Sequence, residues 1–103
     1  MQKNLEYDVE FTFHAREDIR EIVLWYRNEV EGLEDRFLIS LKSSIDLIAR
    51  NPTNYQVNFG VIRSILLNRF PYRVYYFIEE KVIKILAVIH LKRSPRYIRK
   101  RLK

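Results

Sequence analysis

The stretch RFPYRVYYFIEEKVIKILAVIHLKRSPRY, residues 69–97, decides the fold because it contains two strand-like segments separated by a short polar turn. Apolar side chains alternate or dominate over residues 72–79 and 82–90, which is typical of strands in a sheet. The dipeptide Glu80-Lys81 between them is short enough for a tight connection, so the pattern predicts an antiparallel hairpin. Cations crowd the end of the stretch and raise the question of what they bind.

The alternation also assigns the hairpin side chains to two faces once a register is chosen. Pairing Glu79 with Val82 makes one face uniformly apolar or aromatic, and this face is expected beneath the helices. On the other face Arg73 lies opposite Val88, and His90 is its diagonal neighbour, within reach of long side chains. The sequence therefore predicts a shallow cationic surface with an imidazole, pointing away from the helices. The predicted pairs beneath the helices are Ile78–Ile83, Tyr76–Ile85, Val74–Ala87 and Tyr72–Ile89.

Upstream of the hairpin, the hydrophobic pattern predicts one strand and two helices. Apolar residues alternate over residues 7–13, and the period then changes to that of an amphipathic helix extending to Val30. A second helical stripe covers Leu33–Arg50 and stops before Pro52, because a residue preceding proline avoids the α region. Gly32 is the expected break, and so short a link predicts antiparallel helices.

The remaining segments complete the predicted architecture. Residues 51–60 are expected to form a loop, residues 61–67 a further strand, and residues 96–102 a short helix. The sequence therefore predicts a single α+β domain over residues 1–103, in the order β-α-α-β-β-β, with two antiparallel helices packed on one face of an antiparallel sheet. Residues 92–103 form a basic C-terminal tail.

Charge is distributed unevenly along the chain. Residues 1–50 carry 7 Lys or Arg and 11 Asp or Glu, whereas residues 51–103 carry 12 and 2, so the net charges are −4 and +10. Such asymmetry is typical of proteins that bind a polyanion, either nucleic acid or an acidic protein. A basic tail that only aids solubility is the alternative. The carboxylates Glu17, Asp18 and Glu21 are interpreted as part of a solvated helix face.

Several classes of protein are excluded by composition. The chain has no cysteine, which excludes a disulfide scaffold, a thiolate metal site and a cysteine nucleophile. Histidines and carboxylates show no metal-ligand spacing, and no glycine-rich phosphate loop is present, so neither a metal nor a cofactor is predicted. No segment approaches the roughly 18 apolar residues of a membrane helix, and no apolar signal core opens the chain. A cytoplasmic protein without a membrane segment is expected.

Three segments carry a resemblance to a known family. They are FTFHAREDIREIVLWY at residues 11–26, FLISLKSSIDLIARNPTNY at residues 37–55, and IRSILLNRFPYRVYYFIEEKVIKILAVIHLKRSP at residues 62–95. In this order they resemble the RelE/ParE superfamily of toxins from type II toxin–antitoxin, or plasmid stabilisation, systems. The resemblance implies a growth-inhibiting toxin that a cognate antitoxin neutralises, in a toxin–antitoxin hetero-oligomer. The antitoxin is expected to cover the apolar helical surface or the sheet.

The resemblance leaves the target open between two branches. RelE-like members enter the ribosomal A site and cleave messenger RNA, and ParE-like members inhibit DNA gyrase without cleaving nucleic acid. For a RelE-like ribonuclease, the resemblance implies that His90 is the general acid or base and Arg73 clamps the transition state. Tyr97 would stack on a base or assist proton transfer. The alternatives are a locally hydrogen-bonded His90 and a surface cation at Arg73.

Four further cations are candidates for contacts with phosphate or with a protein target. They are Arg63, Lys92, Arg93 and Arg96. Arg63 is expected to join Arg73 on one face if the loop between the strands has odd length. Two departures, the absence of a lysine cluster on the second strand and of a glutamate placed as a base, count against ribonuclease chemistry. The ending HLKRSP resembles ParE-like members, so the sequence slightly favours gyrase inhibition. An inactive relative that only binds its antitoxin is the third possibility.

Overall fold

The structure is a computed structural model that describes residues 7–101, and within this range it contains three α-helices, one 3-10 turn and five strands. Their bounds are β1 (Asp8–Phe11), α1 (Phe13–Glu29), α2 (Leu33–Arg50), the 3-10 turn (Pro52–Asn54), β2 (Gln56–Phe59), β3 (Ile62–Leu66), β4 (Tyr72–Glu79), β5 (Val82–His90) and α3 (Pro95–Arg101). The predicted α+β architecture is confirmed, with one strand more than expected.

The five strands form one mixed sheet in the order β1-β5-β4-β3-β2. Strands β3 to β5 make the expected antiparallel meander, and β2 extends it by one strand. Strand β1 pairs in parallel with β5, with Asp8 opposite Val82, so the sheet is mixed where an antiparallel one was expected. The extra strand is β2, in a segment predicted to be a loop. Gln56 and Val57 are both exposed, so this strand has no alternating apolar pattern by which a sequence could reveal it.

Helix α1 begins at Phe13, a residue that the apolar alternation of residues 7–13 had placed in the first strand. Thr12 is extended and its hydroxyl accepts the N–H of Ala15 at 3.2 Å, which is the geometry of an N-cap. Phe13 is therefore the first helical residue, and its side chain is exposed. The predicted break at Gly32 is confirmed, since its φ of 86° is left-handed and α2 starts at the next residue.

Helices α1 and α2 pack against one face of the sheet and bury the main hydrophobic core there. The predicted stripe of α2 is confirmed, since Phe37, Leu41 and Ile48 are buried. Alternate side chains of β4 and β5 complete this core, and the fully buried ones are Val74, Tyr76, Ile83 and Ile85. Removal of these large apolar side chains from water is the main source of stability.

Helix α3 lies on the other face of the sheet, where a second and smaller core forms. Ile98 is buried there against Tyr75, Ala87 and Ile89. The predicted C-terminal helix is thus confirmed from Pro95 to Arg101, and the rest of the predicted range lies outside the described residues. The sheet face predicted to be open is partly covered, because an apolar strip on it accepts the helix.

Strands β4 and β5 follow the predicted register near the turn and then leave it. Tyr76 pairs with Ile85 as predicted, but the neighbouring Tyr75 pairs with Ala87. Leu86 is therefore the extra residue of a β-bulge, and every pair beyond it is shifted by one. The predicted pairs Val74–Ala87 and Tyr72–Ile89 are wrong, and the observed pairs are Val74–Val88, Arg73–Ile89 and Tyr72–His90.

Candidate functional site

The bulge places Arg73 and His90 on opposite faces of the sheet. Arg73 lies opposite Ile89 on the α3 side, whereas His90 lies opposite Tyr72 on the side of α1 and α2. The expectation that the two share one face is wrong, because a shift of one residue moves every later side chain to the other face. A guanidinium and an imidazole that were expected to work together therefore point in different directions.

His90 makes local contacts where the chain leaves β5. Its ring meets the ring of Tyr72 edge-on, with centroids 5.2 Å apart. Its Nδ1 accepts the backbone N–H of Lys92 at 3.0 Å, and its carbonyl accepts that of Arg93 at 3.0 Å. Because Nδ1 is an acceptor, the neutral ring carries its proton on Nε2. These contacts shape the turn that leads into α3.

Arg73 belongs to a polar network of β2, β3 and β4 on the sheet face that carries α3. Its guanidinium donates to the hydroxyl of Ser64 at 3.1 Å and reaches the side-chain oxygen of Gln56 at 3.5 Å. Ser64 in turn donates to the side-chain oxygen of Asn58. Ser64 is buried, so this network supplies the partners that its hydroxyl needs away from water.

Arg63 lies on the face opposite to Arg73, because it pairs with Tyr76 in the β3–β4 ladder. Its guanidinium donates to the carbonyls of Thr53 at 3.1 Å and Tyr55 at 2.8 Å. The expectation that Arg63 joins Arg73 on one face is wrong. An even number of residues separates the residues that pair across the β3–β4 connection, so Arg63 falls on the same face as Tyr76 and not on that of Arg73. Arg63 ties the 3-10 turn to the sheet, which is a structural role.

Tyr97 lies in the first turn of α3 and is surrounded by arginines. Its backbone N–H donates to the hydroxyl of Ser94, which caps the helix, and its own hydroxyl accepts from Arg101 at 3.3 Å. The guanidinium of Arg93 stacks over the ring, 4.6 Å from its centroid. Such stacking of a cation on an aromatic face stabilises the orientation of both side chains.

The three predicted catalytic side chains do not border one groove. A groove of about 640 Å³ between α1, the end of β5 and α3 is bordered by His90, Tyr97 and Trp25. A second groove, of about 440 Å³ on the α3 side, is bordered by Arg73 and His90. Arg93 borders both grooves. Arg73 and Tyr97 are thus in separate surroundings, and His90 lies at the sheet end between them.

Asp18 is the residue whose role the sequence analysis missed. It was expected on a solvated face, but only 15 % of its side chain is exposed. Its carboxylate accepts the N–H of Val88 at 2.9 Å, and both of its oxygens accept from Arg101 at 2.8 and 2.9 Å. Burial raises the pKa of Asp18 above its ordinary value of 3.8, against the opposite effects of these two donors. The signal was the i, i+4, i+8 spacing of Asp18 with Ile22 and Tyr26, which are buried.

The other predicted contact residues are exposed. Lys92, Arg93 and Arg96 lie on the turn after β5 and on α3, and together they are called the basic surface below.

Among residues 7–101 no three histidines or carboxylates are grouped as a metal site would need. No helix within the described range is long and apolar enough to cross a membrane.

A family model for the ParE toxin of the parDE type II toxin–antitoxin system matches residues 9–95, which is most of the chain. The chain belongs to this toxin family. No curated protein sequence matches the toxin at a significant level. The fold and the family are therefore established, and the target of the toxin is not fixed by either.

Solved structures of toxins from both branches share the fold. A chain of the chromosomal ParDE system of P. aeruginosa is 14 % identical, with a TM-score of 0.73 over 84 % of this chain and 98 % of that one. The RelBE2 toxin–antitoxin complex of Mycobacterium tuberculosis contributes a chain that is 21 % identical, with a TM-score of 0.56 over 85 % and 94 %. The isolated RelE toxin of E. coli is 21 % identical, with a TM-score of 0.57 over 91 % and 94 %. At such identities the likeness concerns the fold alone.

Proposed function

We propose that this toxin arrests growth by binding and inhibiting DNA gyrase, without cleaving nucleic acid, and that a cognate antitoxin neutralises it. The observation that carries the proposal is that the β-bulge at Leu86 puts Arg73 and His90 on opposite faces of the sheet, while Tyr97 borders a groove that Arg73 does not border. The match to the ParE family model and the resemblance of the HLKRSP ending to ParE-like members point in the same direction.

Cleavage of RNA without a metal requires groups that converge on one phosphate. A base must take the proton of the 2′-hydroxyl, an acid must protonate the leaving oxygen, and cations must stabilise the charged intermediate. Here Nδ1 of His90 is engaged by a backbone N–H, and the hydroxyl of Tyr97 is engaged by Arg101. Arg73 donates to Ser64 on the sheet face opposite to that of His90. This arrangement supports binding more than it supports general acid–base chemistry.

The basic surface is the part of the toxin that we assign to the target. Lys92, Arg93 and Arg96 are exposed and follow one another over a turn and the start of a helix. Exposed cations of this kind speed association with an acidic surface and select against basic ones. Arg63, which the sequence grouped with them, is excluded from this surface by its bonds to backbone carbonyls.

The antitoxin is assigned to the outer side of α1 and α2. Large apolar side chains are exposed there, and those on the two helices include Leu24, Leu38, Ile39 and Leu47. A groove of about 420 Å³ bordered by Leu33, Ile39 and Phe70 lies between α2 and the β3–β4 connection. Exposed apolar surface of this kind is typical of an interface, so a partner helix laid along it would form the hetero-oligomer.

A RelE-like ribonuclease is the second candidate, and one observation favours it. Arg73 and His90 both border the groove on the α3 side, although their side chains start from opposite faces. Arg93 and Arg99 border it as well, so the groove could receive a phosphate backbone. An RNA-bound state that turned the His90 ring into this groove would assemble part of the predicted catalytic set.

The test expresses the toxin without its antitoxin and follows two readouts. DNA supercoiling by purified gyrase measures the proposed activity, and mapping of messenger RNA ends on ribosomes measures the alternative. We expect inhibited supercoiling and intact messages, with Arg73→Ala and His90→Ala as active as the parent. New codon-phased ends that disappear in these two variants would overturn the proposal in favour of the ribonuclease.

Two triple variants, each with three cations replaced by alanine, test the assignment of the basic surface. Replacing Lys92, Arg93 and Arg96 with alanine should weaken gyrase inhibition by at least about tenfold, since several cations contribute together. The matched control replaces Arg16, Arg36 and Arg50, which are also exposed but lie on α1 and α2. Equal effects of the two triple variants would mean that only net charge matters and that no surface has been located.

A further inference from the structure

The carboxylate of Asp18 contacts two elements of the fold, strand β5 and helix α3. It accepts the backbone N–H of Val88, two residues after the extra residue of the bulge. It also receives the guanidinium of Arg101 at 2.8 Å, and the exposed fractions of the two side chains are only 15 % and 16 %. The same guanidinium donates to the carbonyl of His14 at 3.3 Å. A carboxylate and a guanidinium so shielded interact more strongly than an exposed pair.

The Asp18–Arg101 pair passes around an open edge of the sheet. Strand β1 ends at Phe11, opposite Ile85, so beyond that point β5 is paired with β4 on one side and has no strand on the other. Helix α1 packs on one face of the sheet and α3 on the other. The pair therefore joins helices on opposite faces across the edge of β5 that β1 leaves unpaired, and Asp18 also satisfies one N–H of that edge.

Helix α3 has few other means of staying in place. It spans seven residues, and a helix so short is unstable in isolation. Ile98 is the buried side chain that packs it on the sheet. The guanidinium of Arg99 also lies over the ring of Phe59 in β2, 5.5 Å from its centroid. Among the described residues, the position of α3 therefore depends on these two contacts and on the Asp18–Arg101 pair. Arg96 belongs to the helix and Arg93 stacks on its Tyr97, so both move with it.

We propose that Asp18 is a positioning residue of the toxin, which through Arg101 sets the position of α3 and hence of the basic surface. The inference rests on the proposed function in one respect, namely that the basic surface contacts the target. The side chain of Asp18 is only 15 % exposed, and its carboxylate is bonded to Arg101 and Val88. Its effect on target binding is exerted entirely through the placement of α3.

The structural part of the proposal is tested by hydrogen exchange on the full chain. Arg101→Ala removes the contact to Asp18 and leaves Asp18 bonded to Val88. Amides of α3 should exchange at least about tenfold faster in this variant, because Ile98 and the stacking of Arg99 on Phe59 then remain to oppose local opening without the pair. Amides of β4 should be unchanged. Lys100→Ala, which removes an exposed cation of the same helix, is the matched control and should leave α3 protected.

The chain contains one tryptophan, and it provides an independent signal. Trp25 borders the groove between α1 and α3, together with Arg93 and Tyr97. Displacement of α3 opens this groove, so quenching of Trp25 fluorescence by acrylamide should increase in Arg101→Ala and stay unchanged in Lys100→Ala. Asp18→Asn retains an acceptor for Val88 but loses the charge, so it should reproduce the effect of Arg101→Ala.

The effect of the Asp18–Arg101 pair on function is tested by measuring growth arrest and binding to gyrase. Arg101→Ala should weaken both by at least about tenfold, a change of ~1.4 kcal/mol in binding free energy. Arg101→Lys keeps a cation near Asp18 but loses the planar donors that also reach His14 and Tyr97, so it should recover part of the loss, which a simple packing role would not do. Unchanged α3 protection in Arg101→Ala, or a loosened α3 with full potency, would overturn the proposal. So would global unfolding of both Arg101→Ala and Asp18→Asn, which would make the pair a general stabiliser.

The two proposals fail in different ways. If the parent arrests growth but does not bind gyrase, the proposed target is wrong. The role of Asp18 is then still decided by α3 exchange and growth arrest across the same variants. If the parent binds gyrase and Arg101→Ala binds equally well with a loosened α3, the target stands and the positioning role falls.

Discussion

Tyr72 and His90 are directly opposite each other in the β4–β5 ladder, and their rings meet edge-on with centroids 5.2 Å apart. This pair exists because the bulge at Leu86 shifts the register by one residue. Tyr72 is itself buried against Tyr26 and Phe37 of the helices, so His90 extends the aromatic core to the end of the sheet. The imidazole is therefore tied to packing as well as to the turn that follows.

Replacement of His90 should affect stability and leave toxicity intact. His90→Ala removes the edge contact with Tyr72 and should lower the free energy of unfolding by about 1 kcal/mol, the usual size of such an aromatic contact. His90→Phe retains the ring and should be closer to the parent. Urea unfolding followed by Trp25 fluorescence gives the stabilities, and induced growth arrest gives the toxicity. A folded His90→Phe variant without toxicity would contradict this expectation, and would mean that the imidazole acts chemically or through its hydrogen bond to Lys92.

Removal of the Asp18 carboxylate should be more costly than removal of its charge. Asp18→Ala leaves the N–H of Val88 without its partner, which should cost about 2 kcal/mol in unfolding free energy because a partly buried donor is left unsatisfied. Asp18→Asn keeps an acceptor and should lose less. Glu29→Ala on the same helix, an exposed carboxylate, should change stability by no more than about 0.5 kcal/mol. Equal losses in the alanine and asparagine variants would contradict this division of roles.

The parts of the fold that were predictable are those with a complete local signal. The bounds of β4 and β5 follow from alternation interrupted at Glu80-Lys81, and α2 follows from an apolar stripe between Gly32 and a proline. The bulge left no such signal, because residues 85–89 are all apolar and read equally well in either register. The packing of α1 and α2 on one face and of α3 on the other distinguishes the observed register from the predicted one.

The candidate site was predictable where it depends on charge and not where it depends on register. The exposure of Lys92, Arg93 and Arg96 follows from a polar run after a strand. The roles of Arg63 and Asp18 depend on which backbone groups they meet, and these groups lie at least eight residues away in the chain. Such contacts are set by strand pairing, so a sequence without its register cannot assign them.

Loss of Arg63 should destabilise the 3-10 turn and leave the target surface unchanged. Arg63→Ala leaves the carbonyls of Thr53 and Tyr55 without this donor, which should cost about 1–2 kcal/mol in unfolding free energy. Arg50→Ala, an exposed arginine beside the same turn, is the control and should have a small effect. Urea unfolding measures both. Inhibition of gyrase by the folded Arg63→Ala variant should match the parent, and a selective loss of inhibition would return Arg63 to the target surface.

Tyr76 should make the stability of the toxin sensitive to alkaline pH. Burial raises its pKa to about 12, and its hydroxyl donates to the carbonyl of Pro52 at 2.6 Å. Burial also raises the pKa values of Tyr72 and Tyr75. Since an unfolded tyrosine ionises near ~10, the stability that comes from a neutral buried phenol is complete below that pH. It is lost as the pH rises through the folded-state value.

The expected outcome is a free energy of unfolding that falls between pH ~10 and 12, with a shallower fall in Tyr76→Phe because that variant has no phenol to ionise. Urea unfolding at closely spaced pH values measures the slope, and absorbance at 295 nm follows tyrosinate formation. Tyr97→Phe, which removes an exposed phenol, is the matched control. If Tyr76→Phe has the same pH slope as the parent, or if all seven tyrosines of the folded chain ionise together near ~10, burial does not shift this group.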